Sequence, residues 1–203
     1  MTRIYAMSAI ASLLALGGCS ASETPPHSDH ADTKQAAAHG SAYGGDTALA
    51  GDARSFTINS GAGQVLGQLE LTPTRAGSTH VKVSIAGISP GMHAMHFHET
   101  GKCEGPDFKS AGGHFNPGGA DHGMDMPNGP HAGDMMNIEI SANGSGELTL
   151  VNDRLSITAG GALPPLMDAD GAALIIHEKA DDFKSQPSGA AGARIGCALI
   201  TAN

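Results

Sequence analysis

Two histidines, separated by a single residue, constrain this chain more than any other feature of its sequence. His96 and His98 lie in the run HAMHFH, residues 93–98, and in a β-strand their side chains project from the same face. Neutral imidazole nitrogen is a preferred ligand of copper and zinc, so such a pair can hold one ion. The later candidate ligands exceed what one tetrahedral ion needs: His114, His122, His131, Asp134 and His177. The sequence therefore predicts a strand-based fold that carries two metal ions.

The chain from residue 53 onwards has the pattern of an all-β protein. Short runs alternate apolar and polar residues, which predicts half-buried strands, and turn residues separate them. The sequence has no long stretch of helical periodicity, and its 29 glycines suit a turn-rich fold. We expect an immunoglobulin-like, Greek-key β-sandwich or flattened barrel of antiparallel strands. The predicted strands include residues 55–58, 64–71, 80–85, 138–140, 146–150, 173–176 and 195–200.

Two long segments interrupt the strands, residues 99–136 and 178–194. Loops of this length in a compact domain are usually either functional or disordered. Each one directly follows a segment that bears candidate metal ligands, which favours a functional role for both.

The first 18 residues have the features of a secretory signal peptide, because Arg3 precedes an apolar stretch too short to span a bilayer. The sequence Leu16-Gly17-Gly18-Cys19 resembles a bacterial lipobox, in which Cys19 is lipidated and becomes the mature N-terminus. An ordinary signal peptide with an incidental cysteine is the alternative. Lipidation would anchor the protein to a membrane without a membrane span. We expect an anchored protein of the bacterial cell envelope that faces the periplasm.

Residues 19–52 are predicted to form the lipidated N-terminus and a flexible linker, because they contain few large apolar residues. The linker histidines are either ordinary polar residues or collect metal: His27, His30 and His39. Residues 53–203 have the length of a single domain. The net charge of −9 argues against nucleic acid as a partner.

Of the three cysteines, Cys103 and Cys197 remain once Cys19 is assigned to lipidation. An even pair in an exported chain indicates a disulfide, and two free buried thiols are the alternative. A bond between them would close a loop of about 94 residues, which in the chain-entropy model stabilises the fold by roughly 4 kcal/mol.

Six separated motifs resemble, in order, those of the copper/zinc superoxide dismutase family. The resemblance covers residues 54–203. The motifs are GMHAMHFHE at 91–99, SAGGHFNP at 110–117, HG at 122–123, HAGD at 131–134, HEKADD at 177–182 and GARIGC at 192–197.

The resemblance implies a role for each candidate residue. One copper ion per chain would be bound by His96, His98, His114 and His177, and one zinc ion by His114, His122, His131 and Asp134. His114 would bridge the two ions and, with Arg194, take part in catalysis. Asp181 resembles the carboxylate that links a copper-side and a zinc-side histidine. Arg194 resembles the arginine that receives the anionic substrate, and Cys103 and Cys197 match the family disulfide.

The implied activity is dismutation of superoxide to oxygen and hydrogen peroxide at a redox-cycling copper beside a structural zinc. A non-catalytic envelope protein that binds or delivers copper and zinc on the same fold is the alternative. A copper-only relative is disfavoured because all the zinc-side residues are present. Lys179 and Lys184 either steer the anion or are plain surface charges, since the local field rather than net charge guides arrival. A monomer and a homodimer both remain open.

The remaining histidines and methionines are expected to be structural. His93 is an odd number of residues before His96, so on a strand it faces away from the pair, and its family counterpart bridges backbone groups. His80 is expected at the surface. Six methionines lie near the histidines and are interpreted as packing residues rather than Cu(I) ligands: Met92, Met95, Met124, Met126, Met135 and Met136.

Overall fold

The computed structural model describes residues 46–202 of the chain. The predicted signal peptide, the lipidation site at Cys19 and most of the predicted linker lie outside the described residues. Within residues 46–202, no helix has the length and apolar character needed to cross a membrane. Residues 48–50, at the end of the predicted linker, already pair with the domain, because Ala50 N donates to Pro73 O at 2.8 Å and Arg75 N to Ala48 O at 2.8 Å.

The described residues are almost entirely strands and loops, as predicted. The strands are β1 Arg54–Ser60, β2 Val65–Pro73, β3 Thr79–Ala86, β4 Gly91–His93, β5 Met95–His98, β6 Ile138–Ile140, β7 Ser145–Asn152, β8 Ser156–Thr158, β9 Pro165–Met167, β10 Ala172–His177 and β11 Arg194–Ile200. A single 3₁₀ turn, Lys109–Ala111, lies between β5 and β6. Three strands were not predicted, β4, β8 and β9, and each has only three residues.

Seven antiparallel strands form the main sheet, in the order β5-β10-β11-β1-β2-β3-β7. The pairs β3–β7 and β5–β10 join strands that are distant in sequence, which is the crossover pattern of a Greek key. The sheet curls, because a tight turn joins β7 to β6, β6 pairs with β4, and only Ala94 separates β4 from the opposite edge strand β5. The prediction of an all-β, sandwich-like flattened barrel is confirmed.

Strand β5 is buried on both faces, and the two faces differ in chemistry. Met95 and Phe97 belong to the main hydrophobic core, whereas His96 and His98 are buried on the opposite face. The alternation of a β-strand produces this division, since successive side chains point to opposite sides. The same four residues therefore fix the strand in the core and present two imidazoles to the candidate site.

A second, smaller apolar cluster supports the long loop after β5. It contains Phe108 and Ala111 from the loop, Ala173 and Ile175 from β10, and Cys197 from β11. The predicted disulfide between Cys103 and Cys197 is present beside this cluster, with the two Cα atoms 5.8 Å apart. The loop is therefore held against β10 and β11 by packing and by a covalent bond.

Replacement of Phe97 by alanine should destabilise the domain by about 3–5 kcal/mol, because loss of the buried ring leaves a cavity in the main hydrophobic core. Phe97 is 0% exposed, whereas Leu199 is 44% exposed and provides a control in the same sheet. Leu199→Ala should change stability by less than about 0.5 kcal/mol. Urea unfolding of the metal-free, disulfide-intact domain measures both values, and equal losses would contradict the assignment of Phe97 to the core.

Candidate metal centre

The pairing of β5 with β10 brings distant histidines together. Ile175 lies opposite His96 and Ala173 opposite His98, so His177, at the end of β10, reaches the ring of His96 with 4.9 Å between ring centroids. An isolated β-bridge joins His98 to His114 in the first long loop. The sheet and the loop therefore place four imidazoles around one point.

Four buried nitrogen atoms at this point have no hydrogen-bond partner: His96 Nδ1, His98 Nε2, His114 Nε2 and His177 Nε2. The same four histidines each offer one ring nitrogen that lies within 4.8 Å of those of the other three. Buried polar atoms are almost always paired, so a converging set of unpartnered ring nitrogens is typical of a metal-binding site. Four imidazole nitrogens suit copper, and we call this set the copper-side cluster.

The other ring nitrogen of three of these histidines donates a hydrogen bond to the protein. His96 Nε2 donates to Asp181 Oδ2 at 2.8 Å, and His98 Nδ1 donates to Gly112 O at 3.0 Å. His177 Nδ1 lies 3.5 Å from Gly192 O. These partners determine which nitrogen of each ring is left for a metal ion.

A second set of donors surrounds one oxygen of Asp134. His114 Nδ1, His122 Nδ1 and His131 Nδ1 lie 2.9, 3.1 and 3.2 Å from Asp134 Oδ1. His131 Nδ1 is also 3.3 Å from His114 Nδ1. Ligands bonded at about 2.0–2.1 Å to a tetrahedral zinc lie about 3.3 Å from one another, so the spacing fits a zinc ion. We call these four residues the zinc-side cluster.

Backbone groups orient the carboxylate of Asp134. Its second oxygen, Oδ2, accepts the N–H groups of Gly123 at 2.9 Å and His131 at 3.0 Å. The carbonyl of Asp134 accepts Arg154 Nη2 at 2.7 Å. Oδ1 is thus directed towards the three imidazoles, as a zinc ligand would have to be.

His114 belongs to both clusters. Its Nδ1 points to Asp134 and its Nε2 is the unpartnered atom on the copper side. Its ring stacks on that of His96, with 4.0 Å between centroids. One imidazole can therefore contact two ions, as the bridging role requires.

Asp181 connects the clusters a second time. Its Oδ2 accepts His96 Nε2 at 2.8 Å, and its Oδ1 accepts His122 Nε2 at 3.0 Å. Asp181 is 3% exposed, so these bonds form away from bulk water. The carboxylate fixes the ring of one copper-side and one zinc-side histidine together.

The protein interior keeps the copper-side histidines in the neutral form. Burial lowers the pKa of His114 to about 4 and that of His177 to about 3, and it holds the pKa of His98 well below its usual value. Neutral imidazole is the form that binds a metal ion. The copper-side cluster is therefore ready for an ion at neutral pH.

The two carboxylates are kept ionised. Burial opposes ionisation of Asp134 and Asp181, but hydrogen bonds from the surrounding histidines outweigh it and hold both pKa values below the usual range. Burial likewise opposes the charged ring of His122, yet hydrogen bonds with the same carboxylates raise its pKa to about 9. An ionised Asp134 is what zinc ligation needs.

Arg194 lies beside the copper-side cluster. Its Nη1 donates to Phe108 O at 2.8 Å and its Nη2 to Gly112 O at 2.7 Å. Gly112 O also accepts His98 Nδ1, so one carbonyl holds both the guanidinium and a copper-side ring. The half-buried Arg194 therefore presents a fixed positive charge next to the unpartnered ring nitrogens of the copper-side cluster.

Other predicted residues lie outside the clusters. His93 Nδ1 contacts His177 O at 2.7 Å and its Nε2 contacts Ser89 O at 2.9 Å, the backbone-bridging arrangement that was expected. His80 is half-buried on β3. Lys184 pairs with Asp125 at 3.7 Å and Lys179 is exposed, and a steering role for either stays a prediction.

The methionines differ in their surroundings. Met95 and Met135 are part of the main core, as packing residues should be, and Met92 is 43% exposed. Met124, Met126 and Met136 are half-buried, and their packing role stays a prediction.

Some groups that orient the ligands act through backbone atoms, and the sequence did not predict them. Gly112 acts through its carbonyl, which every residue type has, so no sequence signal marks it. Gln186 contacts the backbone of His122 from a distant loop, with N–H to Oε1 at 2.9 Å. Glu99 accepts the N–H of Gly113 at 2.9 Å, and only its place directly after His98 could have drawn attention to it.

The fold and the two clusters define a β-barrel protein with a paired metal site. Comparison with known proteins agrees: the sequence profile described as copper/zinc superoxide dismutase (SODC) matches residues 65–200. The chain belongs to the copper/zinc superoxide dismutase family.

Individual relatives are similar over most of their length. The protein called superoxide dismutase [Cu-Zn] of Caulobacter vibrioides is 38% identical over 144 residues, which are 70% of this chain and 82% of the relative. Superoxide dismutase [Cu-Zn] 2 of Aquifex aeolicus is 43% identical over 139 residues, 68% of this chain and 80% of the relative. A crystal structure of a SOD-like protein from Bacillus subtilis has a TM-score of 0.70 at 36% identity, covering 73% of this chain and 99% of that one.

Replacement of Asp181 by alanine should weaken binding of both metals about 10–100-fold, the usual effect of losing a carboxylate that orients ligand histidines. Asp170→Ala is the control, because Asp170 is an exposed carboxylate outside both clusters. Metal content after dialysis against graded chelator concentrations, measured by atomic spectroscopy, compares the variants. Loss of only one metal from Asp181→Ala would contradict the linking role.

Proposed function

We propose that this protein is a superoxide dismutase that binds one copper and one zinc ion per chain through the residues of the two clusters. It converts two superoxide ions and two protons to oxygen and hydrogen peroxide. The observation that carries the assignment is that the two ring nitrogens of His114 face two different sets of candidate metal ligands. A protein that only delivers metal has no need for a shared ligand beside a fixed cation, so this alternative is not favoured.

Copper, when bound, supplies one-electron redox chemistry, whereas zinc has none and serves structure and electrostatics. The protein contributes a rigid set of neutral imidazoles whose orientation is fixed by Asp181, Gly112 and Gly192. His114 Nε2 is the atom that can hold a proton near the reacting oxygen. Its Nδ1 stays in the zinc-side cluster, which keeps the ring in place as the proton comes and goes.

Arg194 binds the anionic substrate. Its two hydrogen bonds to backbone carbonyls hold the guanidinium before substrate arrives, so little reorganisation is needed on binding. A fixed positive charge in a partly desolvated site also raises the local concentration of a small anion, although the chain carries a net charge of −9.

Replacement of Arg194 by glutamine should lower kcat/KM for superoxide roughly 10-fold or more, because the local positive field is lost. Arg75→Gln changes net charge equally at an exposed turn position and should leave kcat/KM unchanged. Pulse radiolysis at two ionic strengths measures both variants, and the Arg194 variant should show the weaker salt dependence.

Metal analysis of the same samples distinguishes an error in the enzyme assignment from an error in the role given to Arg194. Both variants should contain one copper and one zinc per chain. A wild-type protein that holds both metals yet fails to dismutate superoxide would contradict the enzyme assignment. Equal kcat/KM values for the two variants would contradict only the role of Arg194.

We further propose that Cys19 is lipidated and that the domain faces the periplasm of a bacterial envelope. The lipobox-like sequence Leu16-Gly17-Gly18-Cys19 supports the anchor, and the disulfide supports an oxidising compartment. In a bacterial host, the wild-type chain should sediment with membranes and its N-terminal peptide should carry lipid mass. Cys19→Ala should abolish both properties. Membrane association of the variant, or an unmodified Cys19 in the wild type, would refute this proposal.

A further inference from the structure

Gln186 pairs with both backbone polar groups of His122, although 64 residues separate them in the chain. Gln186 Nε2 donates to His122 O at 2.8 Å, and Gln186 Oε1 accepts His122 N–H at 2.9 Å. One side-chain amide therefore satisfies the N–H and the C=O of the same residue, as a neighbouring strand would do. Gln186 Nε2 also lies 3.1 Å from Lys184 O, which ties the amide to its own loop.

His122 has no regular secondary structure to hold it. It lies in the loop between β5 and β6 and is 0% exposed, whereas Gln186 is an exposed residue of the loop between β10 and β11. A buried backbone N–H or C=O without a hydrogen-bond partner destabilises the folded state. The amide of Gln186 points into the protein and provides both hydrogen-bond partners for the backbone of His122. The ring of His122 in turn contacts both Asp134 and Asp181.

The two loops approach each other closely around this contact. Asp125 N–H donates to Phe183 O at 3.3 Å. Gly123, next to His122, has a φ of +103°, and a Cβ atom there would lie 2.0 Å from Phe183 O. The backbone at this point therefore requires glycine, and the loops fit together only in this register.

The loop between β10 and β11 contacts both the side chain and the backbone of His122. Asp181 accepts the ring Nε2 at 3.0 Å, which fixes the rotation of the imidazole. Gln186 holds the backbone, which fixes the position of the Cα atom. Together they leave His122 Nδ1 at 3.1 Å from Asp134 Oδ1, where a zinc ligand must lie.

We propose that Gln186 is a positioning residue for the zinc-side cluster and that it sets how slowly zinc is released. The inference rests on the proposed function, because it takes zinc as the ion of this cluster. It adds a residue that is neither a ligand nor a contact of a ligand side chain, and that acts only through the backbone of His122.

The test uses the full chain loaded with copper and zinc, with Gln186 replaced by methionine. Methionine keeps the length of the side chain and removes both hydrogen bonds. Transfer of zinc to a chromogenic chelator should be about 10–100-fold faster than in the wild type, the usual effect of losing a group that supports a metal ligand. Gln68→Met, at an exposed position of β2, is the matched control and should release zinc at the wild-type rate.

A second variant separates hydrogen bonding from charge. Gln186→Glu keeps an acceptor for His122 N–H but cannot donate to His122 O while ionised. Added negative charge alone would slow zinc loss, whereas loss of the donor should accelerate it. We expect release faster than wild type and slower than Gln186→Met. Release at or below the wild-type rate in Gln186→Glu would overturn the proposal.

The absorption spectrum of cobalt(II) bound in the zinc-side cluster reports the geometry of the ligands, and a general loss of stability would not change it. The visible absorption of tetrahedral cobalt should change in shape and intensity in Gln186→Met but not in Gln68→Met. Wild-type spectra and release rates in Gln186→Met would show that water replaces the amide and would overturn the proposal. A wild-type chain that binds no zinc would instead contradict the proposed function.

Discussion

Four imidazoles of the metal centre, those of His96, His98, His122 and His177, are each held by a hydrogen bond at the nitrogen that faces away from their cluster, and the rest of the site depends on this constraint. One carboxylate and two backbone carbonyls accept hydrogen bonds from the outward nitrogens of His96, His98 and His177, so the inward nitrogens converge without partners. Imidazole can ligate through either nitrogen, and the hydrogen bond made by one decides which nitrogen is free. The fold therefore specifies the geometry of the ion chiefly through groups that never touch it.

The two clusters differ in what holds them. Three copper-side histidines come from the paired strands β5 and β10, whose opposite faces pack in the hydrophobic core, so their positions follow from the stability of the barrel. The zinc-side residues all come from the long loop between β5 and β6. This loop has little regular structure, so it is fixed by backbone hydrogen bonds to β5, by packing, by the disulfide and, in the holoprotein, by the ion itself. The zinc side is therefore the part of the centre that local changes disturb most.

Sequence reasoning could predict those features that leave a side-chain pattern. Alternation predicted β3 and β7, and the spacing of His96 and His98 correctly placed them on one face. The strands β4, β8 and β9 have three residues each and lack the apolar–polar–apolar alternation that predicted the equally short β6. Gly112 and Gln186 could not be found, because their action depends on backbone atoms brought close by the tertiary fold.

The copper-side and zinc-side clusters are not independent of each other. One acceptor group contacts histidines of both clusters, and another contacts both a copper-side histidine and Arg194. Asp181 accepts hydrogen bonds from His96 and His122, and Gly112 O accepts them from His98 and Arg194. A displacement of His122 therefore reaches a copper-side ring through one carboxylate. A displacement of the Gly112 carbonyl moves a ligand and the substrate-binding cation together. Because these shared acceptors are buried or half-buried, water substitutes for them poorly, and the centre behaves as one unit rather than as two adjacent sites.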